Sequence, residues 1–192
     1  MTRGGARATH LAPVIAPVSI VGSGLTLLAA ARLTGANPER HVLLGALLLL
    51  LASVVAEAFP VPVEGVSAGG VSLAAAFLVG AAVVYGWELA TVLGFLTRAA
   101  IEVAHRRPLS RLAHNASTYA LAAAAAGGVT ASLRVDLNAL TLAVGVAAAS
   151  LCFYAVNVSL IALIVSRATG TRFDDIVLTS VRWTIVPFSI MA

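Results

Sequence analysis

Apolar runs of about 20 residues, each closed by an arginine or by a proline or glycine break, constrain this chain more than any other feature. At 1.5 Å per residue, about 20 apolar residues are what an α-helix needs to cross a hydrocarbon layer roughly 30 Å thick. The first run extends from about Leu11 to Ala31, between Arg7 and Arg32, and the second from about Val42 to Ala58, between Arg40 and the break Phe59-Pro60-Val61-Pro62. Val71 to Val103 is too long for one upright span, and Tyr85-Gly86-Trp87-Glu88 interrupts it with an aromatic pair and a carboxylate suited to a membrane interface. It is therefore read as two helices. A fifth helix from about Leu112 to Leu133 contains the run Ala122 to Ala126 and Gly127-Gly128, small residues that let helices approach closely in lipid. The sixth runs from about Leu137 to Val165, and a seventh begins near Ile176 and is still apolar at Met191-Ala192. The expected fold is all-α, a polytopic transmembrane bundle of six complete helices plus part of a seventh. Residues 1–192 form one transmembrane sensory or anchoring domain, expected to be truncated ahead of a carboxy-terminal cytoplasmic output domain.

Composition supports this class and excludes others. Hydrophobic residues make up 60% of the 192 and charged residues 10%, against roughly 25% charged in a soluble domain. All 12 basic residues are arginine. Without a lysine there is no Schiff base and no phosphate-loop lysine. The single cysteine, Cys152, makes neither an internal disulfide nor a thiolate cluster. The excess of +4 basic charges points to anionic lipid headgroups rather than to nucleic acid. The amino-terminal stretch Met1 to His10 resembles a signal peptide, but its apolar core is too long for one, so it is read as part of a retained helix.

Short cytoplasmic loops are enriched in basic residues. With the long stretch split and the amino terminus inside, Arg3, Arg7, Arg98, Arg106, Arg107, Arg111, Arg167 and Arg172 lie inside and Arg32, Arg40 and Arg134 outside. Leaving the stretch unsplit gives the same score. The Arg106-Arg107 loop is thus cytoplasmic in both cases, and the side of the amino terminus stays open.

Ionisable or amide side chains in hydrocarbon are costly and mark functional positions by default. Glu57, just before the proline break, either faces a cavity or is an interfacial carboxylate reaching water. Arg98 and Glu102, four residues apart on one helix face, read as a structural pair. His114 and Asn115 open the fifth helix, where a histidine responds to pH or a ligand, or is simply solvated. Asn157 lies well inside the sixth span, and its amide must meet another helix or a cavity because lipid cannot satisfy it. Arg182, in the last run, is either a buried cation or an interfacial anchor. Glu57, His114, Asn115 and Asn157 are the candidate ligand-binding positions. Asn115-Ala116-Ser117 and Asn157-Val158-Ser159 match the glycosylation triplet but fall within helices. Gly22-Ser23-Gly24 lacks an accompanying histidine base, no histidines stand at metal spacing, and no catalytic constellation, cofactor or metal site is legible.

The succession Ala56-Glu57-Ala58-Phe59-Pro60-Val61-Pro62-Val63, Val71-Ser72-Leu73-Ala74-Ala75-Ala76-Phe77-Leu78, Arg106-Arg107-Pro108-Leu109, Leu112-Ala113-His114-Asn115-Ala116-Ser117-Thr118-Tyr119-Ala120-Leu121, Phe153-Tyr154-Ala155-Val156-Asn157-Val158 and Trp183-Thr184-Ile185-Val186-Pro187 resembles a known family. It is similar to the multi-helix membrane input region ahead of GGDEF diguanylate cyclase and HD or HD-GYP phosphohydrolase domains in bacteria. The resemblance covers about residues 42 to 190. Where the family often has Phe-Asn-Ala-Ala-Gln, this chain has His114-Asn115-Ala116-Ser117-Thr118: the asparagine carries over and the glutamine does not. The asparagine at Asn157 also carries over. The resemblance implies sensing or anchoring in the bacterial inner membrane, with cyclic-di-GMP synthesis or hydrolysis in an output domain. The implied partners are the lipid bilayer, a small hydrophobic ligand and a second copy through the parent protein. A fainter resemblance, to the substrate-binding membrane subunits of vitamin uptake transporters, and a purely structural anchor are the alternatives.

Overall fold

A computed structural model describes residues 4–62, 70–134 and 138–181, giving only the backbone for residues 4–10 and for 61, 62, 70 and 71. The elements in chain order are α1 (Gly4–Ala36), α2 (Arg40–Ala58), β1 (Val61–Pro62), β2 (Gly70–Val71), α3 (Ala74–Tyr85), α4 (Trp87–Ala104), α5 (Leu109–Ser132) and α6 (Ala139–Thr169). Helix resumes over 173–181, here α7. The architecture is all-helical apart from one antiparallel pair, Val61 opposite Val71 and Pro62 opposite Gly70, where the sequence suggests only a break and a loop. Arg182 and the segment Trp183–Pro187 lie outside the described residues.

Three helical stretches, Leu11–Ala36, Arg40–Ala58 and Ala139–Thr169, are long and apolar enough to cross a membrane. This corrects the expectation of six complete spans, and the reasons are physical. With 12 residues, α3 is about 18 Å long, short of a roughly 30 Å hydrocarbon layer. Glu88, Arg98 and Glu102 all fall in α4. In α5 the first turns carry Ser110, Arg111, His114 and Asn115, and the rest is largely alanine and glycine. Both helices form the middle of the bundle, packed most extensively on each other. Thr91, Thr97, Glu102, His114, Ser117 and Thr118 are buried there, so these helices tolerate polarity that a lipid-facing helix would not. The outer helices α1, α2 and α6 instead turn large aliphatic side chains outward, among them Leu27, Leu48 and Leu151.

The long apolar stretch does break, at Gly86, whose φ of 87° and ψ of 177° belong to a region that essentially only glycine occupies. One residue therefore joins α3 to α4 and reverses the chain. Successive helices run antiparallel, as cross-contacts at each end show. At one end Tyr85 approaches Gly45 and Trp87 approaches Gly127, while Arg32 stacks on Trp87. At the other end Ser72 and Arg98 meet Glu57.

Small residues decide how closely the helices approach. A side chain at Gly22 would strike Ser117, one at Gly94 would strike the Tyr119 carbonyl, and one at Gly127 would strike the Trp87 backbone. Ala122, Ala123 and Ala126 are fully buried in the same core, whereas Gly128 faces open space. Ser23 of the Gly22-Ser23-Gly24 triplet sets its hydroxyl 3.3 Å from that of Ser117, so the triplet serves the α1–α5 contact. Asn138 caps α6 through a bond from Leu140 N–H, and Gly170 ends it in the left-handed conformation.

Candidate functional site

The site is built at the end of the bundle where α2 and α4 finish and α3 and α5 begin. Glu57 sits in the last turn of α2, its side chain only 7% exposed. This overturns its reading as a water-facing interfacial carboxylate. A terminal nitrogen of Arg98 donates to Glu57 Oε1. Glu57 Oε2 accepts from Ser72 Oγ at 2.5 Å and from the Tyr119 hydroxyl at 2.9 Å. Ser72 in turn accepts from the Ala74 N–H at the start of α3. The second terminal nitrogen of Arg98 lies 3.1 Å from Glu102 Oε1, so the expected helix-face pair exists but also crosses to α2. Asn115 Nδ2 donates to the same Glu102 oxygen at 2.7 Å. Glu102 Oε2 faces Arg111 Nε at 3.7 Å and accepts no hydrogen bond. The Arg98 guanidinium lies 5.6 Å from the centroid of the Tyr119 ring, close enough for a cation–π contact. Tyr119 stands edge-on to Phe153 of α6, with ring centroids 6.1 Å apart.

This network forms the polar wall of a cleft of about 800 Å³. Glu57, Ser72, Arg98, Asn115 and Tyr119 line one side, Asn157 faces it from α6, and Val79, Leu151, Phe153 and Ile161 supply apolar walls. The cleft opens mainly between α3, α5 and α6, with Glu57 of α2 and Arg98 of α4 at its polar side. Asn157 Oδ1 is shielded from solvent and accepts no hydrogen bond. The described wall residues offer hydrogen bonding, ion pairing and apolar contact.

Of the four candidate positions, Glu57, Asn115 and Asn157 come together in this cleft although they lie on three different helices. His114 does not join them. It is buried with an unpartnered Nδ1, and its carbonyl accepts from Thr118 Oγ1 one turn on. Sequence reasoning missed the participation of Ser72, Tyr119 and Tyr154 and the cross-helix role of Arg98. The available signal was the tyrosines themselves, since a phenol inside an apolar run needs a polar partner.

Fold and site together define a helical protein with three helices of membrane-spanning length and an internal cleft whose polar wall is an ion-pair network. Comparison with family models, with curated proteins and with solved structures finds no match to this chain.

Proposed function

We propose that this chain is the ligand-responsive input module of a bacterial signalling protein of the inner membrane. In this reading the three helices of membrane-spanning length, α1, α2 and α6, hold the bundle in the bilayer. The arginine-rich end faces the cytoplasm, and α7 leads towards an output domain that makes or hydrolyses cyclic-di-GMP. The observation that carries the reading is a connection from the cleft to α7. Tyr154 lines the cleft, and its hydroxyl donates to the Ser180 carbonyl at 3.1 Å. A ligand that displaces Tyr154 thus acts on the helix leading to the carboxy terminus, and its differential affinity for the two helix arrangements sets how far the balance shifts. Exposed Arg106, Arg107, Arg111, Arg167 and Arg172 gather at the same end as the cleft, where anionic headgroups of the cytoplasmic leaflet favour them. Pairing of two copies through the parent protein would convert the α7 movement into output geometry.

The test assays cyclic-di-GMP synthesis and hydrolysis in the full-length parent, with and without Tyr154→Phe. The reading expects output activity whose regulation is lost in the variant while its basal rate is kept. A parent that ends at the membrane beside a separate ATPase pair would instead favour the vitamin-transporter subunit, and a cleft that binds nothing would favour a structural anchor.

A further inference from the structure

The depth of the cleft in the bilayer limits what reaches it, an inference that rests on the membrane placement and the ligand reading proposed above. Helix α6 has 31 residues, Ala139–Thr169, of which about 20 cross the hydrocarbon. Any such window begins no later than residue 150 and ends no earlier than residue 158. Ser150, Leu151, Phe153, Tyr154 and Asn157, all lining the cleft, therefore lie at hydrocarbon depth wherever the window falls. Three further features of the lining are apolar and turned outward: Leu151 is 70% exposed, Leu73 54% and Ile161 43%. With lipid against α6, the cleft opens sideways onto acyl chains rather than onto water.

Its polar side calls for no counter-charge. Glu57 pairs with Arg98, and Glu102 with Arg98 and Arg111, so two carboxylates meet two guanidiniums. The Ser72 and Tyr119 hydroxyls donate into the same cluster. A charged occupant would bring an unmatched charge to hydrocarbon depth, which is costly. Asn157 is partly buried, and its Oδ1 is shielded and accepts no hydrogen bond, which leaves the amide nitrogen as the atom that meets an occupant. An amide N–H donates, and its uncharged counterpart is a hydroxyl or carbonyl oxygen.

We infer that the cleft takes up an uncharged lipophile from the bilayer, a molecule with an aliphatic or aromatic body and a hydroxyl or carbonyl head. Its oxygen accepts from Asn157, and its body lies against Val79, Leu151, Phe153 and Ile161. A volume of about 800 Å³ suits a molecule of that kind.

The experiment uses the full 192-residue chain in nanodiscs of phosphatidylcholine, titrated calorimetrically with dodecanol, dodecyltrimethylammonium and dodecanesulfonate, with protein-free nanodiscs subtracted. These probes share one tail and differ in charge. Saturable dodecanol binding is expected, about tenfold tighter than either charged probe and weakened about fivefold by Asn157→Leu, the loss of one hydrogen bond. Ser150→Trp, which fills an exposed position of the lining, should abolish it. Ala155→Trp, which adds the same bulk to an exposed position of α6 outside the cleft, should leave it unchanged. Each variant's thermal transition reports whether it folds, and Asn157→Leu keeps the test decisive if Ser150→Trp does not. A nitroxide at Leu151→Cys, in a Cys152→Ala background, should be relaxed more by oxygen than by a water-soluble nickel chelate. Stronger relaxation by nickel would overturn entry from the bilayer. Charged-probe binding as tight as that of dodecanol, or dodecanol binding unaltered by Asn157→Leu, would overturn this ligand chemistry while leaving the cleft a ligand site. Failure of all three probes to saturate, or saturation untouched by Ser150→Trp, would overturn the inference together with its premise.

Discussion

The Arg98 guanidinium lies between Glu57 of α2 and Glu102 of its own helix, so one cation holds two carboxylates that are each less than a tenth exposed. Removing that cation leaves Glu57 without a charged partner and Glu102 with only Arg111, 3.7 Å away. Arg98→Met should destabilise the protein by about 3 kcal/mol or more, as expected when one partner of a buried pair is lost. Adding Glu57→Gln and Glu102→Gln to the same chain should recover much of the loss. Thermal unfolding of the purified variants in nanodiscs measures both steps, and an Arg98→Met midpoint equal to wild type would refute a structural role for the cluster.

Gly127 and Gly128 are adjacent in α5 but meet opposite surroundings: a Cβ at Gly127 overlaps the Trp87 backbone, and one at Gly128 meets nothing within 4 Å. Gly127→Ala should lower stability by about 1–3 kcal/mol through overpacking. Gly128→Ala should be neutral or raise it by about 0.5–1 kcal/mol, the helix-propensity gain over glycine. Similar midpoints for the two would contradict the α4–α5 approach described here.

At Gly86 the constraint is the backbone itself. Alanine at φ 87° and ψ 177° costs about 1–3 kcal/mol, whereas Gly80, inside α3 with open space around it, should accept alanine without loss. Denaturant midpoints for the pair isolate the effect of the joint from that of glycine as such.

Asn157→Leu separates stability from binding. Because Asn157 Oδ1 has no partner, the substitution should leave the unliganded protein as stable or raise its stability by about 1 kcal/mol. A loss of several kcal/mol would mean that the amide joins helices rather than facing a ligand.

Orientation follows from the proposed membrane placement. A cysteine introduced at Ser110, in a Cys152→Ala background, should resist an impermeant thiol reagent added to intact cells and react in opened ones, because arginines in so short a connection oppose translocation. Labelling from outside would invert the bundle.

How much of this was legible beforehand depended on whether the cause was local. The helix at Arg40–Ala58, the break at Gly86 and the polar positions Glu57, Asn115 and Asn157 are local features, visible as run length, a turn residue or an amide in apolar surroundings. The cross-link from Arg98 to Glu57 is not local. Its nearest carboxylate along the chain is Glu102 at helix spacing, so the sequence presents a complete pair and conceals the second one. The low hydropathy of α5 is similarly ambiguous until its neighbours are in place, because alanine and glycine serve equally for a loose helix and for one enclosed on several sides. His114 reads as a site residue because a histidine opening a helix responds to pH or a ligand, yet it and Asn115 point about 100° apart on that helix, and only Asn115 lines the cleft.

Joined to α4 by one glycine, α3 is held at its other end by the β1–β2 pair and by Ser72, and along its length by α2, α4, α5 and α6. Over 12 residues, a tilt of about 10° moves that end by about 3 Å at 1.5 Å per residue. That displacement carries the Ser72 hydroxyl from 2.5 Å to well beyond hydrogen-bonding range of Glu57. The Ser72–Glu57 bond is thus the restraint most sensitive to a tilt of α3, beside the β1–β2 pair that fixes the same end.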